Sequence, residues 1–145
     1  MFRLSRAAEY AVRGLLHLAM MDGASAPADI ETIAKAQDAP KAYLSKLFQQ
    51  LAKKGFVRSV RGPVGGFVLA RRPADITLLE VIEAMEGQMF LNSCLIHEGC
   101  CPRGAACPVH EVWGDAQKKF LRVLQTSTLA RLAARGRKKA EKGRE

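Results

Sequence analysis

Nowhere in this 145-residue sequence do apolar residues run on for the roughly eighteen positions that a membrane span needs, so no spanning helix is expected. Arg3 and Arg6 stand ahead of an apolar stretch, with Ala24-Ser25-Ala26 beyond it, in the manner of an export signal. Glu9, Arg13 and His17 interrupt that stretch, and Pro27 occupies the place of cleavage, so an export signal is not expected either. The chain is read as cytoplasmic, where thiols stay reduced and the four cysteines are not a disulfide framework. Acidic residues are scarce, 14 against 23 lysines and arginines, and between Ala39 and Ala74 there are none beside eight bases. A surface of one sign attracts polyanions over a distance. Length is limiting too: a chain with 48% apolar residues can bury one ordinary core with appendages, but not two full domains. A catalytic constellation is also missing, because His17, His97 and His110 have no nucleophile or carboxylate paired with them, and no enzyme is expected.

What is present is mainly helical periodicity with one short hairpin. Ala8, Ala11, Val12, Leu15, Leu16 and Ala19 recur at helical spacing from Ser5 to Met21, and Asp22-Gly23 stops that helix. A short second helix fits Ala28 to Ala36, with Ile30, Ile33 and Ala34 on one face. Ala39-Pro40 opens a third, with proline at its first turn, a buried stripe of Leu44, Leu47, Phe48 and Leu51, and Gly55 as its C-terminal cap. Two short helices joined this tightly make a helix-turn-helix. Residues 56–60 and 67–70 read as strands around Arg61-Gly62-Pro63-Val64-Gly65-Gly66, a basic hairpin in the place of a wing. A phosphate-binding loop is set aside because the Lys-Ser/Thr pair of that motif is missing. The expected fold is mainly α with a small β-hairpin: a winged helix-turn-helix domain over residues 1–87.

Thr77-Leu78-Leu79-Glu80 is a capping box that starts a further helix ending near Gly87. Residues 88–107 are read as a cysteine loop: from Asn92 to Cys107 there is no periodicity, and that stretch holds every cysteine. From Pro108 onward, Val109, Val112, Trp113, Ala116, Phe120, Val123 and Leu124 line one side of a long helix. That is more apolar length than a small domain can cover, so residues 108–134 are expected to form a homodimer, with Thr128 capping a last turn through Leu132. Residues 135–145, six bases against two acids, are expected to be a disordered basic tail.

Within the third helix, Lys41, Ala42, Tyr43, Ser45 and Lys46 occupy the exposed N-terminal turns that a recognition helix presents to base edges. Tyr43 can meet a phosphate or a thymine methyl, Ser45 either partner of a base pair, and the lysines phosphates. Arg61 suits a minor groove, with Gly62 and Pro63 keeping its approach thin and stiff, and Arg58 adds to the same basic hairpin. Double-stranded DNA is the expected partner, and a two-fold dimer is the expected reader of a palindromic operator.

Cys94, Cys100, Cys101 and Cys107 put four thiols within fourteen residues, with His97 and His110 nearby. In a reducing compartment such clustering points to metal or redox chemistry. The spacing is not the C-x2-C pair of common zinc folds; intervals this open can wrap a larger object such as an iron-sulfur cluster. Zinc on Cys94, Cys101, Cys107 and His110 is the alternative, and a thiol switch at the adjacent Cys100 and Cys101 is a third.

Taken together, four segments resemble the Rrf-two family of winged-helix regulators. They are Leu4-Ser5 through Tyr10-Ala11-Val12, Tyr43-Leu44 with Leu47-Phe48 and Leu51, Val60 through Phe67, and Cys101-x5-Cys107-x2-His110 with Trp113. The resemblance implies a dimeric DNA-binding regulator whose cluster lies near the dimer interface and reports iron, nitric oxide, redox state or cluster supply. By position, Cys94, Cys101 and Cys107 match the family's three cluster thiolates. His110 matches the histidine ligand of IscR-like members and would suit a two-iron two-sulfur cluster. Glu9 falls where NsrR-like members take an acidic ligand from the opposite subunit and would suit a four-iron four-sulfur cluster. Two departures stand out. Cys100 competes with Cys101 for the middle position, and Ser45 replaces a base-reading glutamate of IscR-like members, so their operator sequence does not transfer. The functional alternative is a constitutive winged-helix DNA binder with a structural zinc site.

Overall fold

The computed structural model describes residues 3–21 and 26–144. Four of its six α-helices begin where a short polar side chain meets their first amides. Ser5 accepts from the Ala8 amide at 3.2 Å ahead of α1 (Arg6–Met20). Asp29 accepts from the Thr32 amide at 2.9 Å ahead of α2 (Ile30–Gln37). Thr77 and Glu80 form the reciprocal capping box of α4 (Leu78–Glu86), and Thr128 caps α6 (Leu129–Lys142). Caps of this kind contribute about 1 kcal/mol each. The remaining helices, α3 (Lys41–Lys53) and α5 (Pro108–Thr126), start without a side-chain cap.

Helix α1 is the hub of the core. Its buried Ala8, Ala11, Leu15, Leu18 and Ala19 pack among residues of α2, α3, β2, α4 and α6. Small residues permit the closeness: a Cβ at Gly14 would lie 2.9 Å from the Phe48 ring. Phe48, Leu15, Ile33, Leu44, Leu51, Ile76 and Leu129 are the large side chains fully withdrawn from solvent.

The α2–α3 joint is tight because Asp38 takes the left-handed conformation, φ 48°, and the Ala39 amide turns back onto the Ala34 carbonyl at 3.0 Å. The end of α3 is stopped as its sequence requires. Gly55 adopts φ 82°, Gly55 N donates to Ala52 O at 3.1 Å, and Phe56 N donates to Leu51 O at 3.0 Å, a Schellman closure. β1 (Val57–Val60) then pairs antiparallel with β2 (Gly66–Leu69), Val57 opposite Leu69 and Val60 opposite Gly66. Their turn is closed from Gly65 N to Gly62 O at 3.0 Å, with Pro63 at its second position. The result is a winged helix-turn-helix.

Several boundaries differ from the sequence expectations. Ala28 does not begin α2; it pairs with Phe67 through bonds of 3.0 and 2.8 Å, adding a one-residue third strand to the wing. Gly66 is required by that approach, since a Cβ there would lie 2.3 Å from the Ala28 carbonyl oxygen. Pro40 precedes α3 with an extended ψ of 126° instead of serving as its first helical residue. The Asp22-Gly23 stop lies outside the described residues. The largest correction concerns the C-terminus. The short turn after Thr128 and the disordered tail expected from Arg135 are one helix, α6, which runs to Lys142. Composition misled there because two residues suffice to seat the helix: Leu129 and Ala133 are buried in the core beside α1, and Arg137 donates to the Ala19 and Met20 carbonyls at 3.4 Å. None of the residues of α5 is buried. No helix among the described residues is long and apolar enough to cross a membrane.

His17 is half-buried on α1 with Nε2 unpartnered, and burial holds its pKa below the ordinary 6.5. The unfolded chain therefore takes up a proton more readily than the folded one. The neutral ring's contribution is present at neutral pH and is lost as pH falls below 6.5 toward the folded pKa. Denaturant unfolding at neutral pH and near pH 5 is expected to show that loss, and His17→Gln to show a smaller one.

Candidate nucleic-acid interface and cysteine loop

Burying Leu44, Leu47, Phe48 and Leu51 turns the opposite face of α3 outward. Lys41, Ala42, Tyr43 and Lys46 are exposed there, and Ser45 is half-buried. With no side-chain cap, the first amides of α3 are free to donate to an anion. Lys41 lies 3.6 Å from Glu31, an exposed pair of small energetic weight. On the wing, Arg58, Arg61, Gly62 and Pro63 are all exposed, and Val64 at the tip is 79% exposed.

A bracket that the sequence did not disclose holds this face to α1. Arg13 Nε donates to Gln37 Oε1 at 3.0 Å, and its Nη2 to the Gln37 carbonyl at 3.3 Å, at the end of α2. Its guanidinium lies 5.8 Å from the centroid of the Tyr10 ring, and Tyr10 meets Tyr43 edge-on at 5.7 Å. One turn of α1 thus touches both the α2–α3 joint and a residue of the exposed face of α3. A basic residue in a basic chain carries no sequence signal for such a role; the i,i+3 spacing of Tyr10 and Arg13 is the only hint.

The cysteine segment is irregular, with 3-10 turns at Ser93–Leu95 and Gly104–Ala106. Gln117 of α5 clips its beginning: Leu91 N donates to Oε1 at 2.8 Å, while Nε2 donates to the Met89 carbonyl at 2.9 Å. Its other end runs directly into α5 through Cys107 and Pro108. Between these anchors lies a cavity of about 570 Å³, bordered by Cys94, Cys101 and His110. Cys107 does not border it but lies one turn before His110, whose amide donates to the Cys107 carbonyl at 3.1 Å. Nδ1 of His110 is buried and has no partner. Cys100 does not border the cavity; its thiol donates to the Ser93 carbonyl at 3.2 Å. Glu9 is exposed on α1 and does not border it either. All four cysteines are free thiols. Among the described residues, no three His, Cys, Asp or Glu side chains are gathered closely enough to hold a single metal ion.

The helix-turn-helix, its wing and the exposed basic face define a winged-helix DNA-binding protein. Residues 4–135 match the Rrf2 family, described as an iron-dependent transcriptional regulator. The Rrf2 protein of Nitratidesulfovibrio vulgaris is 38% identical over 130 residues, 90% of this chain and 86% of its own. The HTH-type transcriptional regulator IscR of Cronobacter sakazakii is 34% identical over 130 residues, 90% of this chain and 79% of its own. Two solved structures share the fold. CymR, the global cysteine regulator of B. subtilis, has a TM-score of 0.77 at 29% identity, covering 92% of this chain and 98% of its own. T. potens IscR has a TM-score of 0.73 at 30% identity, covering 93% and 88%. The chain belongs to the Rrf2 family and is a transcriptional regulator; its relatives are regulators, not enzymes.

Removing the bracket tests its role. Arg13→Ala is expected to lower stability by about 1 to 2 kcal/mol, because buried Gln37 loses its charged partner. It is also expected to weaken DNA binding about tenfold in a chain that remains folded, which urea unfolding and titration with labelled duplex will separate. Unchanged affinity would reduce the bracket to packing alone.

Proposed function

We propose that the protein is a homodimeric cytoplasmic regulator that holds an iron-sulfur cluster on Cys94, Cys101, Cys107 and His110, and whose grip on a palindromic operator depends on that cluster. The observation that carries this reading is that Cys94, Cys101 and His110 all border one cavity. Donors spread around about 570 Å³ leave more room than one zinc ion needs, whose ligands sit about 2.0 to 2.3 Å away. The family's description as iron-dependent favours iron over zinc as well. The Cys100 thiol is turned to Ser93 while Cys101 borders the cavity, which favours Cys101 as the middle thiolate; with His110 as the fourth ligand the set suits a two-iron two-sulfur cluster, and Glu9 of the partner subunit in that place would suit a four-iron four-sulfur one.

When bound, such a group supplies a redox-sensitive and iron-sensitive crosslink between the loop and α5. The chain's own residues convey its consequence. Gln117 and Cys107 tie both ends of the loop to α5, so fixing the loop fixes the first turns of that helix. α5 packs on α4, α4 on α1, and α1 carries the Arg13 and Tyr10 bracket to the reading face. Val109, Val112, Trp113 and Val123 are exposed on α5, with Val112 at 67% and Val123 at 63%, which favours pairing with a second copy along that helix. In such a dimer Lys41, Ala42, Tyr43, Ser45 and Lys46 enter the major groove, and the wing, with Arg58, Arg61, Gly62 and Pro63, follows the minor groove.

A hundredfold change in operator affinity requires about 2.7 kcal/mol of differential binding between the two arrangements. Cys107→Ala is expected to leave a folded dimer whose binding to an operator selected from random duplexes no longer responds to cluster loss. A variant that responds as the native protein does would refute the loop as sensor.

A further inference from the structure

The charge on α6 is left without a use by the reading above. Arg131, Arg135, Lys138 and Lys142 recur at intervals of four, three and four residues, so they form one stripe along a helix about 16 Å long over that span. Arg135, Lys138 and Lys142 are exposed, as are Lys139 and Arg144 nearby. Among the described residues, none of the ion pairs involves α6, and Glu141 is the only acid along it. Like charges at these spacings repel, an effect the helix dipole offsets only for the bases of the last turn, and a polyanion lying along the stripe relieves the repulsion.

The stripe is held on an ordered helix and given a direction. Leu129 and Ala133 seat the helix in the core, Gly136 lies against the Met20 side chain, and Arg137 binds the last carbonyls of α1. The half of α6 beyond Arg137 therefore projects past the end of α1. The family match ends at residue 135, and Lys138 and Lys142 lie beyond it.

We propose that this stripe is a second, sequence-independent DNA contact, in which Arg135, Lys138 and Lys142 neutralise backbone phosphates outside those reached by α3 and the wing. It rests on the protein's being a DNA binder and not on the cluster. Contacts of this kind add affinity and salt dependence without adding sequence preference.

The test uses the full chain carrying Arg135→Gln, Lys138→Gln and Lys142→Gln together. Glutamine keeps a comparable helix propensity, and retained circular dichroism will show an intact fold. Binding is measured to a mixed-sequence duplex across a range of potassium chloride. Log affinity against log salt should become shallower by roughly two to three for each protomer on the duplex. Affinity at low salt should fall at least about tenfold, while the preference for a selected operator over the mixed duplex stays as it was. An unchanged slope and affinity would overturn the proposal. So would a defect confined to vesicles containing phosphatidylserine, which would assign the stripe to a membrane surface. If the operator preference itself vanished along with the slope, the stripe would belong to specific reading, and the proposal would equally fail.

Discussion

Gly14 lets α1 lie against the ring of Phe48, an approach that one added carbon would close to 2.9 Å, and the rest of the molecule is arranged around that closeness. Phe48 sits at the middle of α3, so its position on α1 sets where the exposed face of α3 lies. Arg13, one residue earlier on α1, grips the end of α2, and Tyr10, one turn earlier, meets Tyr43. The opposite side of α1 receives α4 and α6. A single fifteen-residue helix thus connects the reading face with the elements that lead to the cysteine loop. Displacement of α1 at Gly14 would move Phe48, because protein interiors are too densely packed to absorb it.

The cysteine loop has the contrasting physics. It has little regular structure of its own and is held by the Gln117 clip, by the packing of the Ser93–Leu95 turn on α5 and by its continuity with that helix. A segment of that kind is ordered by whatever its side chains bind, and the cost of ordering it is drawn from the binding. In the proposed function, donors on the loop and an exposed face on a packed helix would be the two halves of a switch: one half changes, and the other turns the change into a difference in grip.

Much of the fold was legible because its stops and starts are local chemistry. Thr77 with Glu80, Thr128 and Gly55 each dictate a helix end through one or two hydrogen bonds with near neighbours, and the hydrophobic period of α3 divides its buried from its exposed face. What escaped depends on partners far away in the chain. Ala28 joins the wing only because Phe67 presents a free edge and Gly66 makes room. Residues 135–142 looked unable to bury anything, and indeed bury almost nothing; Leu129 and Ala133 anchor them from one turn earlier. The clustered thiols pointed to a candidate site, yet spacing alone could not separate Cys100 from Cys101, of which the first donates to the Ser93 carbonyl and the second borders the cavity. Gln37 and Gln117 carried no signal at all, since an amide side chain becomes informative only when its partners are known.

The central claim is that a reducible inorganic group, and not a lone structural ion, occupies the loop. It is tested most directly by isolating the full chain without oxygen and assaying iron, acid-labile sulfide and zinc in the same sample. Iron and sulfide in equal amounts, with visible absorption that bleaches in air, are the expected result. A colourless protein containing one zinc per chain and no sulfide would contradict it.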